Sequence, residues 1–220
     1  MNIKPVIFSS DEIAAINAGR KTMFRMPVKT TAEHLYKAVG GLCGFFMDRP
    51  VGDRANLIKA PYQIGDILWV RETWQHAYDL DENDQEIEGT GRYLYAATDT
   101  SPFGSWVRDD GSHTETMPWC PSVHMPREAA RLFLRVTGVK VERLQDINHD
   151  DCLCEGLAEC GGHSKEEDCD CIIMSYAKIW NALNAKRGHG WDKNPWVFAH
   201  TIERTEKPAG WPCADSEATT

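Results

Sequence analysis

Four consecutive apolar residues, Ile67-Leu68-Trp69-Val70, stand between a Gly65-Asp66 turn and the charged pair Arg71-Glu72. Successive side chains of an extended chain point to opposite faces, so Ile67 and Trp69 cover one face and Leu68 and Val70 the other. A strand that is apolar on both faces belongs inside a sheet with material packed on each side. The strand is read from Pro61 through Trp74. Arg71 and Glu72 at its end must be paired or functional, because an uncompensated polar group there is costly.

The remaining elements are placed around that strand. Lys4 to Phe8 reads as a first strand, and Ile13, Ile16 and the Ala14/Ala15 pair then give helical spacing behind the capping candidates Ser9, Ser10 and Asp11. Gly19 closes that helix. The chain should leave it as a strand on which Lys21 and Arg25 share a face, and Pro27 should end the regular pairing. Leu35, Ala38 and Val39 read as helical, Asp48 to Lys59 as irregular, Asp79 to Gly91 as an acidic loop, and Asp99 to Pro121 as another loop.

Strands are expected over Arg92 to Thr98, Ala130 to Leu144 with a change of phase at Thr137-Gly138, and Pro195 to Glu203. One helix starts at the cap Asn148, runs through Asp151 and Leu153 to Glu155, and ends at Gly156. A second covers Ile172 to Ala185, with Ile172, Ile173, Tyr176, Ile179, Trp180 and Leu183 facing the core. Mixed strand spacing, three helices and no strand–helix–strand repeat define an α+β class built on a small curled sheet or barrel. The reading is a single domain over residues 1–206 with insertions near 30–60, 79–91 and 158–171. A flexible tail over 207–220 follows, in which Trp211 and Cys213 have no explanation.

Charge narrows the partners. A net charge of −9 opposes tight binding of long duplex DNA, which depends on neutralising many phosphates, and leaves small ligands or a local RNA element. The sequence has neither an apolar run of membrane-spanning length nor a secretory leader, so the expectation is a cytoplasmic protein with no membrane partner. In that compartment the eight cysteines are expected as thiols or metal ligands. Cys160-x-x-His163 followed by Cys169-x-Cys171 has a spacing that closes a hydrophilic loop around structural zinc, with Cys152 and Cys154 as alternates. The competing reading keeps Cys152 as a buried thiol and the rest as incidental. No other cofactor is expected.

The segment from Ala18 to Lys29 is basic within an acidic chain and reads either as a solvated edge strand or as the rim of an anion or nucleobase pocket. Its motif, Gly19-Arg20-Lys21-Thr22, is followed in order by Val70-Arg71-Glu72-Thr73-Trp74 after Gly65-Asp66, by Pro121-Ser122-Val123-His124-Met125-Pro126-Arg127, and by Asn194-Pro195-Trp196-Val197. In order and spacing these resemble the ASCH family, and in particular its larger phage and prophage members, from about Lys4 to Arg204. The resemblance implies a PUA-like small β-barrel with flanking helices and loop insertions, and a cleft rimmed by the Gly-x-Lys motif. It also implies that Lys21 and Glu155 correspond to the lysine and glutamate with which some small members remove the acetyl group of N4-acetylcytidine. The threonine of that set is replaced here by Phe24, which has no nucleophilic oxygen, and Met26 stands where the family often has arginine, a role open to Arg25.

The leading expectation is therefore recognition of a nucleoside, nucleotide or short RNA element. Its candidate binding residues are Gly19, Lys21, Thr22, Phe24, Arg25, Arg71, Glu72, His124 and Arg127. Whether the chain is an enzyme is left open. An amidohydrolase or another nucleic-acid-related hydrolase would use Lys21 and Glu155, with Glu155 or Glu72 as general base, and the third alternative is a phage assembly or interaction factor without a ligand.

Overall fold

The computed structural model describes residues 2–30, 32, 34–37, 45–47, 57–83, 85–87, 90–100, 103–107, 111–159 and 171–212. Its elements in chain order are β1 (Ile3–Ile7), α1 (Ser10–Asn17), β2 (Met23–Pro27), β3 (Tyr36–Lys37), β4 (Phe45–Met47), β5 (Leu57–Lys59), β6 (Ile67–Arg71), β7 (Trp74–Ala77) and β8 (Arg92–Tyr95). They continue with β9 (Phe103–Val107), β10 (His113–Thr116), β11 (Phe133–Arg143), α2 (His149–Cys154), α3 (Cys171–Asn184) and β12 (Trp196–Thr205). The class is α+β. The principal sheet has five strands in the order β1-β6-β11-β12-β2, and the described residues do not close it into a barrel.

The chain divides into two compact units, each assembled from separate stretches of sequence. The first comprises Met1–Lys4, Ala15–Leu68 and Leu134–Arg204, and the second Pro5–Ala14, Trp69–Phe133 and Thr205–Thr220.

In the first unit the turn before β6 is fixed by Gly65, at φ 86°, and by Asp66. The Asp66 carboxylate accepts from Lys4 Nζ at 2.6 Å, Gln63 N at 3.0 Å and Asn2 N at 3.1 Å. Burial alone would raise its pKa, but these donors outweigh burial and lower it. One core forms where Ile172, Tyr176 and Trp180 of α3 meet Leu144, Ile147, Cys152 and Val197. Another gathers Val28, Phe46, Ala60 and Phe198.

Antiparallel pairing of β12 with β2 sets His200 opposite Phe24 and Ala199 opposite Arg25. Helix α2 begins where Asn148 Oδ1 accepts from Asp151 N at 2.8 Å, as its sequence promises. It is followed by Gly156 at φ 95°, a conformation that glycine adopts without strain.

Several expectations are corrected here. Tyr36–Lys37, read as helical, is a strand, and residues 38–39 of that reading lie outside the described residues. Leu57–Lys59, read as irregular, pairs with β4, which in turn pairs with β3. These strands have two or three residues each, too few to show a period of their own, so their partners define them. In α3, Ile179 and Leu183 are 51% and 61% exposed instead of facing the core. The buried side chains Ile172, Tyr176, Trp180 and Asn184 follow an i, i+4 row that turns away from the helical stripe counted from sequence.

In the second unit, β7 pairs with β8, and β9 with β10. The second hairpin replaces the loop expected over Asp99 to Pro121. The long strand read through Trp74 stops at Arg71, and Trp74 starts a new one. Trp211, which the sequence leaves unexplained, is buried. Its ring lies 5.2 Å from Phe133 and 5.7 Å from Trp69, its Nε1 donates to Arg127 O at 2.7 Å, and the Arg127 guanidinium covers it at 4.4 Å. Cys213 lies outside the described residues. Among the described residues no helix is long and apolar enough to cross a membrane.

Candidate functional site

Helix α2 ends on Glu155, and the backbone there pairs with the start of β2. Lys21 and Glu155 form an antiparallel bridge, and Thr22 N donates to Cys154 O at 2.8 Å. Gly156 makes the approach feasible. A Cβ at that position would lie 2.9 Å from Ala15 Cβ and 3.1 Å from Lys21 Cβ, so any side chain would push the two segments apart. The exposed Arg20 then donates to Gly156 O at 2.8 Å.

The closeness of the two backbones brings the side chains together. Lys21 Nζ lies 3.0 Å from Glu155 Oε2 and donates as well to Glu155 O at 3.0 Å, across 134 positions of sequence. Arg25, on the same face of β2, uses all three of its nitrogens. Nη1 donates to Glu155 Oε1 at 2.9 Å, Nη2 to Asp151 Oδ2 at 2.8 Å, and Nε to Glu142 Oε1 at 3.0 Å. The Tyr176 hydroxyl reaches Glu155 Oε1 at 3.4 Å, and Lys140 Nζ sits 2.9 Å from Glu142. Three cations (Lys21, Arg25, Lys140) thus face three carboxylates (Glu142, Asp151, Glu155); Lys140 is half exposed, and the buried Lys21 and Arg25 are paired as charges held out of water must be.

Burial governs the titration of the group, and the carboxylates correct it. Arg25 would lose basicity by desolvation, but Glu155 and Glu142 more than reverse this and hold the guanidinium protonated. Desolvation, reinforced by Glu155, pushes the Tyr176 phenol well above its ordinary value. The Cys152 thiol beneath the cluster is pushed up to about 12 by burial, against the pull of Arg25. At neutral pH Tyr176 is therefore a donor and not a nucleophile, and Cys152 is an inert thiol.

Phe24 points elsewhere. It is 5% exposed and stacks on His200 at 4.8 Å and 12°, with Tyr62 at 5.9 Å. Thr22, the nearest hydroxyl in sequence, takes part in the backbone pairing of Cys154 and Ile202. Gly19 closes α1 at φ 71°.

Of the residues singled out from sequence, the structure gathers Lys21, Arg25 and Glu155. Arg71, Glu72, His124 and Arg127 belong to the second unit. There Glu72, fully buried, receives a fork from Arg131, Nε at 2.9 Å and Nη2 at 2.8 Å, while Arg71 donates to Val123 O over the face of Trp69. His124 is exposed at the end of a short 3-10 turn over Ser122–His124, and Arg127 is exposed.

Sequence reasoning missed Asp151, Glu142 and Tyr176 as members of the ion cluster. Asp151 and Tyr176 carried a helical signal only, and Glu142 none beyond its place on a strand.

Of the residues expected to hold zinc, Cys160, His163 and Cys169 lie outside the described residues. Cys171 opens α3, Cys154 is half-buried, and Cys152 is buried. Among the described residues no three His, Cys, Asp or Glu side chains are grouped to hold a metal. No family model matches the chain, and neither does any curated protein or solved structure.

Proposed function

We propose that the protein is an ASCH-type domain, its sheet a variant of the PUA-like architecture, that binds a nucleoside, nucleotide or short RNA element where β2 meets the end of α2. The observation that carries this reading is the 3.0 Å contact between Lys21 Nζ and Glu155 Oε2. It joins the two residues that the resemblance pairs. A base edge alternates donors and acceptors, and a ligand that opens the Lys21–Glu155 contact would meet one of each, while the exposed Arg20 beside it supplies a charge for a phosphate. The net charge of −9 fits a small or local ligand better than a long duplex. Structural zinc at Cys160, His163, Cys169 and Cys171 belongs to the same proposal and is tested by metal analysis of the purified protein.

A second reading, hydrolysis of an acylated nucleoside, draws on the same contact. Phe24 faces away from Lys21, and Tyr176 holds its proton, so the nucleophile would be water, with Glu155 as general base and Lys21 beside the developing oxyanion. Calorimetric titration with cytidine, N4-acetylcytidine and a short oligouridine, with chromatography for released acetate, separates the readings. Saturable binding that Lys21→Met abolishes without unfolding the protein supports recognition. Turnover that Lys21→Met and Glu155→Gln both abolish favours hydrolysis, and absence of binding to every ligand overturns the proposal.

A further inference from the structure

The β7–β8 hairpin carries a row of rings on one face. Pairing Trp74 with Tyr95 and His76 with Tyr93 puts these four side chains on one side of the ribbon. Tyr78 continues the row beyond β7, with its ring 4.3 Å from His76. His76 lies 4.7 Å from Tyr93, and Tyr93 lies 5.6 Å from Trp74, so the rings form a contiguous surface. Burial falls along it, from Tyr95 at 8% exposed to Tyr78 at 41%. The ribbon is held at its loop end by Gly91, where a Cβ would fall 2.0 Å from Ala77 O.

Tyr95, at the buried end, shows what this row can hold. The Arg131 guanidinium lies 3.8 Å from its ring centroid, forks onto the Glu72 carboxylate and donates to Thr98 Oγ1 at 2.9 Å. Cation–π contact and a bidentate carboxylate therefore act on one guanidinium. Among the described residues no lysine or arginine covers Trp74, Tyr93 or Tyr78.

The chain that continues from Tyr78 is acidic. Between Asp79 and Gly91 the chain has six acidic residues and no lysine or arginine. Asp79, Glu82 and Glu86 are exposed. Among its described residues, Asp81 Oδ1 accepts from Asn83 N at 2.8 Å and Gln85 N at 2.9 Å, and Ile87 N donates to Asp79 O at 2.9 Å. Burial and the nearby Glu128 carboxylate both raise the Tyr93 pKa, so negative potential extends onto the ribbon. A phosphate chain would be repelled here, and a cation would meet ring faces and carboxylates together.

We propose that the open end of this row, Trp74, Tyr93, His76 and Tyr78, is a docking surface for an arginine-rich segment of a partner protein, which repeats there the arrangement of Arg131 on Tyr95 and Glu72. The surface lies within the second unit, and the proposal does not rest on a nucleoside at Lys21.

The test is fluorescence anisotropy of the full chain with a short labelled peptide of alternating arginine and glycine, against a serine–glycine control and a labelled oligouridine. Saturable binding of the arginine peptide is expected, with none of the serine–glycine control and with any oligouridine binding unchanged by Tyr78→Ala. Tyr78→Ala, a change at an exposed ring, should weaken arginine-peptide binding about two- to fivefold, the range for an exposed cation–π contact, while Tyr78→Phe keeps the ring face and the affinity. Glu82→Lys with Glu86→Lys should weaken it further. Three results would overturn the proposal: no saturable binding of the arginine peptide, loss on charge reversal with no response to Tyr78→Ala, or oligouridine binding that Tyr78→Ala weakens.

Discussion

The two faces of β2 in the first unit bury polar side chains by opposite means. On one face Arg25 is completely enclosed and keeps its charge, because Glu155, Asp151 and Glu142 surround it at 2.8 to 3.0 Å. On the other, His200 is equally enclosed among Phe24, Tyr62 and Phe198, and neither ring nitrogen has a hydrogen-bond partner among the described residues. Desolvation lowers the His200 pKa to about 4. The backbone of Tyr62 and Phe198 pulls towards the cation from outside hydrogen-bond geometry, and burial wins. Buried charge survives where the fold supplies counter-charge and is given up where it does not, so the face with Lys21 and Arg25 is the one equipped for polar chemistry.

The largest test removes the counter-charge balance. Arg25→Met leaves three carboxylates without their guanidinium, and the expected loss is about 3–5 kcal/mol of unfolding free energy, read by urea denaturation at pH 7. A loss below about 1 kcal/mol, the scale of a surface ion pair, would mean the cluster is hydrated and the contrast between the faces is false. Next in size is Phe24→Thr. Deleting a ring packed on His200 and Tyr62 and placing a hydroxyl there should cost about 3–4 kcal/mol, the range for large truncations in a core. No amidase activity should appear, because the new oxygen would face the imidazole and not Lys21. Acetate release by Phe24→Thr would show that β2 can turn that side chain towards Glu155.

His200 makes the contrast measurable against pH. Its folded pKa of about 4 lies below the ordinary 6.5, so between those values the unfolded chain binds a proton that the folded chain refuses. The neutral form's contribution is complete above the unfolded pKa, declines as pH falls from 6.5, and levels off below 4. The difference across that window is about 3 kcal/mol. His200→Phe should remove that slope from the stability profile while the carboxylate contributions remain. Identical profiles for the two proteins would show that the imidazole is hydrated or protonated in place.

The β6 strand, the Asn148 cap and the turn at Gly156 were legible in the sequence because each rests on local chemistry: a continuous apolar run, a side-chain acceptor, a left-handed backbone. Lys21 and Arg25 on one face followed from strand geometry, and the partnership of Lys21 with Glu155 came from the resemblance, since nothing local joins residues 134 apart. Glu142, Asp151 and Tyr176 were invisible as a set because three different elements deliver them to one point. The short strands β3 to β5 and the β9–β10 hairpin were hidden for a related reason, as turn-forming residues outnumber any period and pairing alone makes them strands. Trp211 gave a signal, an aromatic in a polar tail, whose partner could not be named without Arg127 and Phe133 beside it.

The smallest effect concerns the third donor to Glu155. Tyr176 is buried, and its hydroxyl reaches Oε1 at 3.4 Å, longer than the contact from Arg25 to the same oxygen. Tyr176→Phe retains the ring against Trp180 and Trp191 and removes only the hydroxyl, so its cost should be about 0.5–1 kcal/mol, near the lower end for a buried hydrogen bond. The guanidinium and ammonium already neutralise that carboxylate, and a neutral phenol adds little to them. A loss above about 2 kcal/mol would place Tyr176 among the groups that hold Glu155 in position, because leaving a buried carboxylate oxygen short of a donor carries that larger penalty. The comparison of faces would then rest on three donors converging on one carboxylate, not on ion pairing alone.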